Sequence, residues 1–72
     1  MEEKYQQAIQ WAEHFLSTTA DREISLKPGV HTHSLHSKIN ICKIRIQHSR
    51  GYAQYIAYRS IKDIKDALQK IN

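Results

Sequence analysis

The chain has little of what staples a small fold together or marks a catalyst. Cys42 is its only cysteine, so no internal disulfide can form, and a reducing, cytoplasmic location is expected. It has one proline, Pro28, and two glycines, Gly29 and Gly51, too few for a glycine-rich phosphate loop. No uninterrupted apolar run approaches a membrane span. The polar, acidic start MEEKYQQ also lacks the basic opening and apolar middle of a signal peptide. Carboxylates are the most telling scarcity. Glu2, Glu3, Glu13, Asp21 and Glu23 precede the middle of the chain, Asp63 and Asp66 follow it, and none lies between Ile24 and Lys62. Paired-carboxylate catalysis therefore has no support in that stretch, and no enzyme activity is expected.

What the middle does carry is positive. Lys27, Lys38, Lys43, Arg45, Arg50, Arg59 and Lys62 fall within it, with His31, His33, His36 and His48, in a chain of net charge +4. A one-signed stretch inside a mixed chain points to a positive face and an anionic partner. At 72 residues the chain is expected to fold as one small domain spanning 1–72, with a thin stability margin.

EEKYQQAIQWAEHFLS has helical periodicity. Tyr5, Ala8, Ile9, Trp11, Ala12, Phe15 and Leu16 recur at three- and four-residue steps, with Gln6, Gln7, Gln10, Glu13, His14 and Ser17 opposite. Ile24 and Leu26 then alternate with polar neighbours as a short strand, and Pro28-Gly29 suits a type II turn. Residues 30–38 read equally as a strand or a loop. INICKIRIQ, rich in isoleucine, reads as the strongest strand, although Ile39 and Ile41 are out of phase with Cys42, Ile44 and Ile46. A bulge near Asn40 would reconcile them.

Taking Ser49-Arg50-Gly51 as a three-residue hairpin loop with Gly51 left-handed sets the register of residues 43–60. Cys42, Ile44, Ile46, Ile56 and Tyr58 then share the buried face. Lys43, Arg45, Gln47, Ala53, Tyr55, Ala57 and Arg59 share the outer one. Ser60 is read as the N-cap of a last helix, SIKDIKDALQKIN, striped by Ile61, Ile64, Ala67, Leu68 and Ile71. The fold class expected is α+β: a two-layer sandwich of an N-terminal helix, an antiparallel sheet of three strands (four if 30–38 pair) and a C-terminal helix.

On that fold the outer hairpin face is the candidate site. Lys43, Arg45 and Arg59 would neutralise phosphates, Arg50 would assist from the loop, and Tyr55 would stack on a base. His31, His33 and His36 are weak metal candidates. No carboxylate lies near them and Cys42 is assigned to the core, so neither a metal nor another cofactor is expected. The function expected is a small non-catalytic nucleic-acid-binding accessory or regulatory protein, favouring DNA over RNA. The alternative is a protein-interaction module, a small inhibitor or adaptor whose basic sheet docks on an acidic partner protein. No membrane partner is expected. Unpaired edges of the sheet favour a homodimer.

Overall fold

The structure, a computed structural model, describes residues 1–25, 29 and 31–70. It contains, in chain order, α1 (Glu3–Thr18), β1 (Glu23–Ile24), β2 (His33–Ser34), α2 (Leu35–His48) and α3 (Gly51–Lys70). The strands form a two-stranded antiparallel ribbon with Glu23 opposite Ser34 and Ile24 opposite His33. The fold is a three-helix bundle carrying this ribbon, so the expected sandwich is overturned. Leu26, Lys27, Pro28 and Ile71, which entered the strand, turn and final-helix readings, lie outside the described residues. Gly29 does have a positive φ of 76°.

α1 forms where its periodicity places a helix. Glu3 sits in the first turn, favourably placed at the positive end of the helix dipole. At the other end the hydroxyls of Ser17 and Thr18 both donate to the His14 carbonyl, competing with the ladder as the helix stops.

The correction concerns residues 35–60. INICKIRIQ is helical, part of α2, and the residues that α2 buries are Leu35, Ile39, Cys42 and Ile46. That spacing of four, three and four residues is one face of a helix. It absorbs the phase break at Asn40 without a bulge, at the cost of leaving Ile41 and Ile44 outside. Isoleucine favours strands, but such propensity is a weak prior that packing overrides. α3 repeats the pattern with Gln54, Ala57, Ile61 and Ile64 buried and Leu68 packed against them. Ser60 lies inside α3 and is no N-cap. Ile44 and Ile56, assigned to the core by the hairpin register, are 43% and 44% exposed.

One feature of that hairpin survives in another role. Gly51 is left-handed, with φ 65°, but it joins two helices instead of two strands. Three of the last four carbonyls of α2 have individual partners around this turn. Arg45 O accepts from the Ser49 N–H at 2.9 Å, Ile46 O from Gln54 Nε2 at 3.0 Å, and Gln47 O from the Arg50 guanidinium at 3.4 Å. Gln54 is thus a buried polar side chain with a defined partner, tying the start of α3 to the end of α2.

The N-terminus of α2 is capped as fully. Leu35 N–H donates to Arg22 O, His36 N–H to Asp21 Oδ1 and Ser37 N–H to Ser34 Oγ, at 2.9, 2.9 and 3.2 Å. Ser34 Oγ in turn donates to Asp21 Oδ2 at 2.7 Å. These bonds hold Asp21's carboxyl below its usual range, the His36 N–H contributing most and Ser34 next. The segment 30–38, undecided between strand and loop, is in its described part the short strand β2 and the start of α2.

All three helices contribute to the core, which gathers Tyr5, Ala12, Leu35, Ile39, Cys42, Ile46, Ala57, Ile61 and Ile64. Among the described residues, no helix is long and apolar enough to cross a membrane.

Candidate anion-binding groove

α1 and α3 run in the same direction along their seam, since Lys4 lies beside Tyr55 and Tyr58 while Trp11 lies beside Lys65. Each helix offers residues spaced over two turns to that seam. α1 supplies Lys4, Gln7, Ala8 and Trp11, and α3 supplies Tyr58, Ile61, Lys62 and Lys65. Between them is an open groove of about 100 Å³ whose lining holds three lysines and no carboxylate. An open lining with three ammonium groups and no carboxylate suits anionic groups such as backbone phosphates.

Aromatic rings position the lysines. The Lys4 ammonium lies 5.4, 5.7 and 5.6 Å from the ring centres of Tyr5, Tyr55 and Tyr58. That of Lys65 lies 5.8 Å from the Trp11 ring. Tyr5 and Tyr58 meet edge-on at 5.3 Å, and Tyr55 lies 6.3 Å from Tyr58, so the rings brace one another. Attraction of an ammonium to a ring face orients the charge without neutralising it. Among the described residues the one ion pair is Arg59–Asp63, at 3.5 Å, and none of the three lysines takes part in it.

The candidate site residues from the hairpin reading are dispersed. Lys43 and Arg45, two residues apart on a helix, project from different sides of α2. Arg50 is in the turn, with its guanidinium on the Gln47 and Ser49 carbonyls. Tyr55 and Arg59 are one turn apart on α3, Tyr55 at the end of the groove beside Lys4 and Arg59 paired with Asp63. Lys43, Arg45 and Arg59 therefore form no common surface. The groove brings together Lys4, Trp11, Tyr58, Lys62 and Lys65, none of which was singled out for a site. Lys62 and Lys65 flank the buried Ile61 and Ile64, on the rim of the stripe that the last helix was expected to carry.

His36 has a structural partner, its Nε2 lying 2.6 Å from the Thr19 carbonyl, and its ring meets Phe15 edge-on. Among the described residues, no three histidine, cysteine or acidic side chains come together as a metal site. The Cys42 thiol is pushed up by burial, an effect opposed by Lys38, Arg45 and a hydrogen bond with Ser60. A thiol held protonated is a poor nucleophile. No protein-family model, no curated protein and no solved structure matches the chain.

Proposed function

We propose that the protein is a small non-catalytic nucleic-acid-binding accessory factor that grips phosphates in the α1–α3 groove. The supporting observation is the convergence of Lys4, Lys62 and Lys65 on a lining without a carboxylate. Each ammonium can replace a counterion on the nucleic-acid backbone, and Tyr55, 41% exposed at the end of the groove, offers a ring to an unstacked base. The reading keeps DNA ahead of RNA and a cytoplasmic setting, where a lone buried thiol stays reduced.

Titration of labelled duplex and single strands at two salt concentrations tests it. Binding is expected to be weak and indifferent to sequence, with a log–log salt slope near −3 for about three phosphates on duplex. Reversing Lys62 and Lys65 to glutamate should abolish it, while Arg45→Ala should leave it unchanged. Absence of binding at low salt, or full binding by the double reversal, sinks this function.

A further inference from the structure

The side of α3 turned away from the groove presents a second surface of different chemistry. Ile41, Ile44 and Ile56 are 46%, 43% and 44% exposed there. Their placement follows from the packing. Tyr58, Lys62 and Lys65 of α3 line the groove toward α1, so the opposite flank of α3, which carries Ser60, faces α2. Ile56 precedes Ser60 by one turn and shares that flank. Ile41 is adjacent to Cys42, and Ile44 follows Ile41 by three residues on the outer side of α2. Lys38 and Arg45 stand three residues before and four after Ile41, on the same side of α2.

We propose that the outer α2–α3 seam receives an acidic amphipathic helix of a partner protein. α1 packs on one side of the antiparallel α2–α3 pair, and a helix on the other side would complete a four-helix bundle around exposed isoleucines. Charge selects the occupant. α2 has no carboxylate and α3 has none before Asp63, which is already paired with Arg59. A second copy would bring Lys38 and Arg45 against like charges, whereas a helix with aspartate or glutamate beside its apolar stripe would complement them.

Fluorescence anisotropy of the full chain tests this with two synthetic peptides of roughly 18 residues, long enough to form a helix. One carries a leucine stripe flanked by glutamates; in the other, lysines replace the glutamates. The acidic peptide should bind at least about tenfold more tightly than its basic twin. Ile41→Ser with Ile44→Ser, both at exposed positions, should weaken it by a similar factor. Lys62→Glu should not, which separates this seam from the phosphate groove. Equal binding of both peptides, no binding, or indifference to the serine pair overturns the proposal. So does a dimer in sedimentation that the serine pair dissociates, because a second copy would then cover the seam.

Discussion

α3 has two seams, and their difference lies in what fills them. Toward α1 the seam holds large side chains, with the rings of Tyr5, Trp11 and Tyr58 beneath the ammonium groups of Lys4 and Lys65. Rings of this size leave a channel between the helices and hold ammonium groups along it. Toward α2 the core is aliphatic, with Ile39, Cys42 and Ile46 of α2 and Ala57, Ile61 and Ile64 of α3, and Ile41, Ile44 and Ile56 stay exposed outside it. Both seams are positive. The first offers charge over a polar-aromatic floor, which suits a phosphate; the second offers charge beside aliphatic surface, which suits an amphipathic helix. Net charge alone does not separate these partners, and the residues between the charges do.

The largest effect that could break this comparison is at the core of the α2–α3 seam. Ile46→Ala should cost about 2–5 kcal/mol in denaturant unfolding, because Ile46 is fully buried. Ile44→Ala, two residues away, should stay within about 0.5 kcal/mol. On a strand these two isoleucines would share a face and cost the same. Similar losses for the two would return the segment to a sheet and remove both seams.

Next in size is Gln54→Ala, expected to cost about 1–3 kcal/mol by leaving the Ile46 carbonyl without its buried donor. In the folded variant the phosphate groove is expected to be intact. A loss of salt-dependent binding at full folding would show that the two seams are coupled.

The contrast between α1 and α2 shows why the bundle was only partly legible. α1 has one uninterrupted apolar stripe with polar residues opposite, so only a helix accommodates it. In α2 the isoleucines fall at 39, 41, 44 and 46, a spacing of two, three and two that fits neither period alone. A strand needs a bulge to bury them. A helix buries 39 and 46 with Leu35 and Cys42 and strands 41 and 44, contrary to the ordinary expectation that isoleucine is buried. That expectation favours a hairpin, and Gly51's left-handed backbone fits a hairpin loop as well as it fits the turn between two helices. The groove was illegible for a related reason. Its lysines come from opposite ends of the chain, and grouping charges by adjacency favoured Lys43 and Arg45, which the helix separates.

The smallest expected effect lies outside both seams, at the N-terminus of α2. Asp21 accepts from the backbone N–H groups of Arg22 and His36 and from the Ser34 hydroxyl, and these bonds favour its ionised form. Its folded pKa is therefore depressed below the ordinary 3.8. The sign follows directly: the unfolded chain takes up this proton at higher pH than the folded one. The stabilisation is complete well above pH 3.8 and is lost as pH falls through the depressed folded value. Asp21→Asn keeps an oxygen for the His36 N–H but has no charge to lose. It should melt slightly below the parent protein at pH 7, with the gap closing below about pH 4. Thermal melts of both proteins across that range would check it. Because the cap lies at the end of α2 remote from the α2–α3 turn, nucleic-acid binding at pH 7 should not change in the variant. A melting gap that stayed constant into strong acid would mean that Asp21 acts through shape alone.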